Sequence, residues 1–243
     1  MSYSSITFDD RNPLKRWLQR QRLVTAVNTY GVKTKVGAIC DFGAGNGELS
    51  KLLAEVYPTA KIICYEPAPN LLSQARENLE AFKSRIEFCG DIRDLQNGTF
   101  DAVFCLEVFE HLPPAETDAA LKNIFCLLQP QGKVIIGVPV EIGIPALYKG
   151  IFRMCRRYGA FDAKPKNILP AIFGLLPKHR PIGEIGPGLL FHFEHLGFDH
   201  RHLGGEIARY FNVAKVSSAP FQNIGTWLMP EVNYLAIKQS NTG

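Results

Sequence analysis

Residues 38–50 read AICDFGAGNGELS, an apolar run that ends in three alternating glycines. The apolar part predicts a buried strand over 36–42, and the segment 48–57 has the apolar spacing of a helix. Glycines at a strand-to-helix turn permit positive φ angles and let a ligand approach bare backbone. The first N–H groups of the next helix add unpaired donors. The stretch therefore predicts a ligand-binding turn.

Strand-like and helix-like segments alternate along much of the chain. The predicted strands are 36–42, 61–65, 85–89, 100–106 and 133–138, and the predicted helices between them are 48–57, 70–82 and 115–128. This alternation predicts βαβ units and a parallel sheet with helices on both faces. Two further strand-like runs, 211–218 and 231–238, have no helix between them and predict an antiparallel hairpin. A helical pattern over 13–30 predicts an N-terminal helical segment within 1–34.

Acidic residues follow the later strands. Glu66 closes the second predicted strand in KIICYEP, Asp91 follows the third in GDI, and Glu107 ends the fourth. The carboxyl ends of parallel strands meet at one edge of the sheet, where ligands bind. A carboxylate at position 66 can accept both hydroxyls of a ribose. A dinucleotide fingerprint would place Glu48 at a position that needs a small residue, so a nicotinamide-dependent oxidoreductase is only an alternative.

These motifs resemble those of class I S-adenosylmethionine-dependent methyltransferases of the generic small-molecule type. DFGAGNG, YEP, GDI, FDAVFCLEVFEHL and LLQPQGKVIIGVP occur in the family's order within about 35–140, with a looser match over 191–238. The resemblance implies an α/β, Rossmann-like, doubly wound seven-stranded sheet of order 3-2-1-4-5-7-6. Strand 7 would be antiparallel, and a partly helical insertion would follow strand 5. It also implies one domain over 1–243 and S-adenosyl-L-methionine as cofactor.

The resemblance assigns cofactor contacts residue by residue. The implied cofactor-binding residues are Asp41, Gly43, Ala44, Gly45, Gly47, Glu66, Pro67, Asp91, Ile92, Cys105, Leu106 and Glu107. The glycines would face the amino-acid part of the cofactor, with Asp41 anchoring the loop or the ammonium group. Glu66 would hold the ribose, Asp91 and Ile92 would contact the adenine, and the residues from Cys105 onward would line the methionine side.

Methyl transfer from a sulfonium is an in-line displacement, to which alignment contributes about 7–11 kcal/mol. An acceptor hydroxyl would also need a base, and the catalytic candidates are His111, His195 and His200. Glu107, Glu110 and His111 resemble a metal-binding run of ubiquinone-pathway O-methyltransferases and small-RNA 2′-O-methyltransferases, with His200 as a further ligand. Many methyltransferases with this run hold no metal, so we predict none. A metal-assisted 2′-O-methyltransferase acting on RNA is an alternative.

Composition limits the partners. With 46% hydrophobic residues the chain can bury a core, and a net charge of +4 does not require a nucleic-acid partner. Six cysteines without a CxxC pair, and an N-terminus without the apolar core of a signal peptide, favour a reduced, cytoplasmic protein. No run is apolar enough to predict a transmembrane helix.

A proline- and glycine-rich stretch, 141–190, is expected to cover the substrate. Within it, 147–158 combines Lys149, Arg153 and neighbouring arginines with an apolar face. Such a helix can lie on an anionic membrane surface or contact an acidic substrate, or it can be an ordinary surface helix. We expect methylation of a small-molecule or lipid-like acceptor at O or N. The oligomeric state stays open.

Overall fold

The computed structural model describes residues 13–177 and 179–239, with the side chains of 13–15 omitted. Of the expected N-terminal segment 1–34, the first twelve positions lie outside these ranges. They include the start of the stretch that lacks the apolar core of a signal peptide. The helix expected in that segment is α1, Pro13–Tyr30.

A seven-stranded sheet forms the centre of the molecule. Its strands are β1 (Ala38–Phe42), β2 (Lys61–Tyr65), β3 (Ile86–Cys89), β4 (Phe100–Leu106), β5 (Leu128–Pro139), β8 (Asn212–Ala219) and β9 (Glu231–Ile237). Their order is β3-β2-β1-β4-β5-β9-β8, and β9 runs antiparallel to both of its neighbours. This confirms the predicted sheet, with the last two numbers shifted because the insertion contains a further hairpin, β6 (Gly183–Gly186) and β7 (Leu189–Phe191).

Helices cover both faces of the sheet, as the alternation predicts. They are α1, α2 (Glu48–Val56), α3 (Pro69–Asn78), α4 (Pro114–Leu127), α5 (Gly143–Arg157), α6 (Pro165–Ile172) and α7 (His200–Tyr210). One core holds Leu121 of α4 and Ile207 of α7, and the other holds Val27 of α1 and Leu53 of α2. Parallel strands buried on both faces are nearly all apolar, which is why their sequences read as continuous hydrophobic runs.

The turn after β1 is tied to the end of β2. The backbone N–H groups of Gly43 and Ala44 both donate to the carbonyl of Tyr65 at 2.9 Å. Gly47 is the N-cap residue directly before α2, and its φ of 89° places it in the left-handed region. The glycine turn therefore lies at the carboxyl edge of the sheet, beside the end of β2.

The insertion after β5 contains α5, α6 and the β6–β7 hairpin, which confirms its partly helical character. Gly150 of α5 packs against Ile168 of α6 so closely that a Cβ would lie 2.5 Å from Ile168 Cγ2. The hairpin is joined to the segment after β4 by a hydrogen bond from the N–H of His192 to the carbonyl of His111, at 2.9 Å. Among the described residues, no helix combines the length and the apolarity that crossing a membrane requires.

Candidate active site

A cavity of about 340 Å³ opens at the carboxyl ends of β1, β2 and β4. Predicted site residues that line it are Asp41, Gly43, Ala44, Gly45, Glu66, Pro67, Leu106, Glu107 and His111. Further elements that line it include α1 through Gln19, Arg22 and Leu23, α4 through Glu116, Ala119, Ala120 and Asn123, and the hairpin through Ile185, Leu189, Leu190 and Phe191. The cavity therefore has a polar wall at the strand ends and an apolar wall in the insertion.

The glycine turn leaves room for a ligand against its backbone. Gly43 and Gly45 have φ angles of 76° and 56°, which side-chain-bearing residues rarely adopt. A Cβ at Gly45 would meet no atom within 4 Å, whereas one at Gly43 would lie 2.5 Å from a methyl carbon of Val108. Gly45 thus faces open space in the cavity, and Gly43 permits close packing of the turn on the segment after β4.

Glu66 is buried and held in one orientation. Its Oε2 accepts a hydrogen bond from the N–H of Gly45, and its Oε1 accepts one from the N–H of Ala68, both at 2.8 Å. Burial raises the pKa of Glu66, and the two N–H donors counteract that shift. Each carboxylate oxygen has a second acceptor position, so the side chain can still accept hydroxyl groups from a ligand.

Asp41 adds a second buried carboxyl to the same wall. Its Oδ2 accepts a hydrogen bond from Ser50 Oγ at 2.7 Å. Burial raises the pKa of Asp41 to about 7, and the nearby Glu66 contributes in the same direction. A ligand with positive charge would favour the ionised form of both groups. The polar wall therefore fits a cofactor that carries an ammonium, a sulfonium and a ribose.

Glu107 connects the cavity to α1. It has a φ of 57°, uncommon for a residue with a side chain, and forms an ion pair with Arg22. Arg22 Nε also lies 3.5 Å from Glu231 Oε1 at the start of β9. Arg22 therefore holds α1 across one side of the cavity.

Six predicted site residues do not line the cavity, namely Gly47, Asp91, Ile92, Cys105, His195 and His200. A Cβ at Gly47 would lie 2.5 Å from Leu79 Cδ1, so its glycine serves the packing of α2 on the end of α3. Cys105 is fully buried in a core, because alternate residues of β4 point to opposite faces of the sheet.

The two residues expected at the adenine also point elsewhere. Asp91 accepts a hydrogen bond from the backbone N–H of Arg93 at 2.9 Å and pairs with its guanidinium. Hydrogen bonds from the Arg93 side chain lower the pKa of Asp91 to about 2. Ile92 is half-buried and packs on the edge of a core. Their assignment to the adenine stays a prediction.

Only one of the three candidate histidines, His111, lines the cavity. Its ring stacks on Phe191 with centroids 4.1 Å apart, and its Nδ1 lies 2.6 Å from the carbonyl of His192. The carbonyl can only accept, so Nδ1 carries the proton, and Nε2, which has a lone pair, lies 3.7 Å from Glu110 Oε1. Burial lowers the pKa of His111 to about 4, which leaves the ring neutral at pH 7. His195 lies behind it, and His200 is buried at the start of α7.

The residues that could bind a metal in the structure differ from those that the sequence pattern suggested. Ligand atoms of Glu110, His111 and His195 lie within 4.8 Å of one another. Glu107 pairs with Arg22 instead, and His200 lies beside a different hollow. A set of four metal ligands that includes Glu107 and His200 is therefore wrong. Both carboxyl oxygens of Glu110 are buried and have no hydrogen-bond partner in the described part of the chain. Three donors of this kind can hold a divalent ion.

Sequence analysis did not predict that α1 borders the cavity, and it placed the hairpin only within the stretch 141–190 expected to cover the substrate. Arg22 lies in a helix whose apolar residues suggested only core packing, and its acidic partners are far away in sequence. The sequence does contain a signal for the turn of the hairpin, because Gly188 follows a proline between two short apolar runs. In the structure Gly188 has a φ of 72°. Glycine and proline at such a position are typical of a tight turn.

Residues 39–132 match the model of a methyltransferase domain. The ubiquinone biosynthesis O-methyltransferase of Xanthomonas oryzae pv. oryzae is 32% identical over 102 residues, 40% of this chain and 41% of that protein. The malonyl-[acyl-carrier protein] O-methyltransferase of Geobacter sulfurreducens is 34% identical over 94 residues, 38% of this chain and 34% of that protein. The matches thus span about two fifths or less of these curated relatives.

Solved structures share the fold over nearly the whole chain. The PH0226 protein from Pyrococcus horikoshii OT3 aligns with a TM-score of 0.62 and 16% identity, covering 98% of this chain and 96% of that one. The N-methyltransferase NodS from Bradyrhizobium japonicum WM9, in complex with S-adenosyl-L-homocysteine, aligns with a TM-score of 0.57 and 15% identity, covering 95% and 90%. The chain therefore has the class I methyltransferase fold. Residues 39–132, which match the methyltransferase-domain model, include the glycine turn, Glu66 and the segment directly after β4.

Proposed function

We propose that the protein transfers a methyl group from S-adenosylmethionine to a small-molecule or lipid-like acceptor. The observation that carries this proposal is the joining of Gly45, Asp41 and Glu66 in one cavity with an apolar opposite wall. The names of the two curated relatives favour oxygen over nitrogen as the acceptor atom. The comparisons favour this activity over that of a nicotinamide-dependent oxidoreductase.

The polar wall would orient the cofactor. When bound, S-adenosylmethionine supplies a methyl group on a positively charged sulfur. Gly45 leaves its backbone open to the cofactor, and Glu66 is oriented to accept hydrogen bonds from a ribose. Asp41 and Glu107 place carboxyl groups close to the turn, and a cationic ligand would favour their ionised forms. Because the displacement is in line, this alignment is the protein's main contribution to the rate.

The apolar wall indicates the acceptor. Leu189, Leu190 and Phe191 of the hairpin face the cavity opposite the strand ends. Burying apolar surface of a ligand contributes about 25 cal/mol per Å². A ring or chain on the acceptor would therefore be held against the hairpin, with its reacting oxygen towards the polar wall.

His111 is the residue best placed to receive the acceptor's proton. It lines the cavity, and its Nδ1 is fixed on the carbonyl of His192. The lone pair of Nε2 can accept a hydrogen bond from a hydroxyl as its oxygen attacks the methyl carbon. His195 and His200 lie outside the cavity, and so we place neither in contact with the acceptor.

Cofactor binding and turnover test the proposal together. Titration calorimetry with S-adenosylhomocysteine should give binding that weakens at least tenfold in Glu66→Ala and is unchanged in Glu87→Ala, an exposed glutamate on β3 paired with Lys61. A turnover screen with labelled methyl donor should favour phenols and acyl-chain acceptors over sugars. No binding by the wild-type protein would refute the proposal.

A metal-assisted form of the reaction is a second candidate, favoured by the unpartnered carboxyl of Glu110. Burial raises the pKa of Glu110 to about 8, a cost that a bound cation beside His111 and His195 would remove. Calorimetric titration with MnCl₂ should detect a site in the wild-type protein that Glu110→Gln abolishes. Equal titrations of the two proteins would exclude this candidate and leave the metal-free reaction.

A further inference from the structure

Helix α5 has its charged side inside and its apolar side outside. Lys149 Nζ lies 3.1 Å from Glu141 Oε1, and Arg153 donates to both carboxyl oxygens of Glu141 at 2.7 and 2.8 Å. Burial alone would raise the pKa of Glu141, but the two cations hold it well below its usual range. Lys149 and Arg153 therefore face inward, because the fold supplies their acidic partner, and they do not serve an outside partner.

The opposite side of α5 is apolar and exposed. Its residues Ile144, Leu147, Tyr148, Ile151 and Phe152 each have between 38% and 52% of their surface accessible. Spacings of three and four residues place them along one side of the helix. Among the residues described, no other part of the chain packs over this stripe closely enough to bury it.

Two neighbouring segments extend this exposed face. Phe173, directly after α6, is 80% exposed, and Trp227, in the connection between β8 and β9, is 63% exposed. Both border one shallow hollow together with Ile142 at the start of α5, and Tyr148 Oη donates to the carbonyl of Leu228 at 3.1 Å. We call the α5 stripe with Phe173 and Trp227 the insertion surface. It lies at the same edge of the sheet as the cavity.

Within the insertion, the exposed charges beside the α5 stripe are positive. Between positions 142 and 183 the only acidic residue is Asp162, and it is buried against Arg153 and Arg157. Arg156 and Lys166 are exposed, and the Arg156 guanidinium lies over the ring of Phe152 at 5.3 Å. An apolar face with exposed cations beside it is complementary to an anionic, apolar partner.

We propose that the insertion surface docks the protein on an anionic lipid bilayer. Tryptophan and tyrosine side chains have an apolar ring with one polar group, which suits the boundary between lipid and water. Cations beside them are attracted to anionic lipid headgroups. A second copy of the chain fits less well, since it would bring Arg156 and Lys166 against the same cations.

Vesicle sedimentation tests this docking without any methyl transfer. At low salt, the wild-type protein should bind vesicles of phosphatidylglycerol and phosphatidylcholine at least tenfold more strongly than phosphatidylcholine alone. Phe173→Ser with Trp227→Ser should reduce that binding at least tenfold, and Arg156→Gln with Lys166→Gln should remove the preference for phosphatidylglycerol. The matched control is Val32→Ser, which is 46% exposed and precedes β1 at the other edge of the sheet.

Thermal unfolding of each variant should match that of the wild-type protein, since none of these side chains is buried. Failure of the wild-type protein to bind the anionic vesicles would overturn the proposal, and so would equal binding by the control and the Phe173/Trp227 variant. A concentration-dependent dimer in light scattering that this variant abolishes would assign the surface to a second copy and also overturn it.

Discussion

Gly45 and Gly47 have the same chemistry and neighbouring positions, yet the structure gives them different tasks. A Cβ at Gly45 points into open space in the cavity, whereas one at Gly47 would collide with the buried Leu79. The pattern of alternating glycines does not distinguish these tasks, because packing partners such as Leu79 are known only once α3 is in place. The family resemblance therefore implies a cofactor contact for both glycines.

Gly45→Val should weaken binding of S-adenosylhomocysteine at least tenfold, because its side chain would occupy ligand space. Gly47→Ala should instead lower the free energy of unfolding by about 1–3 kcal/mol through overpacking and a strained φ. Calorimetry and urea denaturation of both variants separate the two effects. Loss of affinity in Gly47→Ala with unchanged stability would contradict this division.

The carboxyl of Asp41 gives a pH signature. Its pKa in the folded protein is raised to about 7, so the native state binds a proton that the unfolded chain releases near pH 4. Its contribution therefore makes the ligand-free protein less stable as the pH rises from about 4 to 7. Asp41→Asn lacks this contribution, so the stability difference between the wild-type protein and the variant should fall as the pH rises from about 4 to 7. Parallel curves for the two proteins would contradict the assignment.

At the scale of elements, local patterns predicted most of the sheet and its helices. Apolar runs and helical spacing are properties of neighbouring residues, so β1 to β4, α4 and the terminal hairpin lie close to their expected positions. β5 begins earlier than expected, at Leu128, directly where α4 ends. The inward direction of the basic side chains of α5 could not be predicted from the sequence. Glu141 becomes the partner of Arg153 only when the helix is placed against the segment that follows β5.

Helix α1 depends on Arg22 for its place beside the cavity. Arg22→Ala would leave Glu107 and Glu231 without their shared cation, and like charges at the cavity edge would then repel. We expect faster amide hydrogen exchange over residues 16–30 and weaker binding of S-adenosylhomocysteine. Arg20→Ala, an exposed position of the same helix, is the control. Unchanged exchange in Arg22→Ala would mean that apolar packing alone holds α1.

At the scale of the whole molecule, the cavity draws on segments from α1 to the hairpin of the insertion, so ligand binding is coupled to the stability of the fold. A ligand at one hundred times its Kd adds about 2.7 kcal/mol to the free energy of unfolding. For a chain of this size that raises the Tm by about 5–10 °C. S-adenosylhomocysteine should produce this shift and NAD should not. A shift with NAD alone would favour the oxidoreductase.

We expect the methyl donor to bind in the cavity between the glycine turn, Glu66 and the hairpin. A crystal structure of the complex with S-adenosylhomocysteine would show whether it does. We predict a ribose whose hydroxyls lie within hydrogen-bonding distance of the Glu66 carboxylate, and a sulfur that faces the side of the cavity containing His111. Nucleoside density elsewhere on the protein, with this cavity empty, would contradict the account.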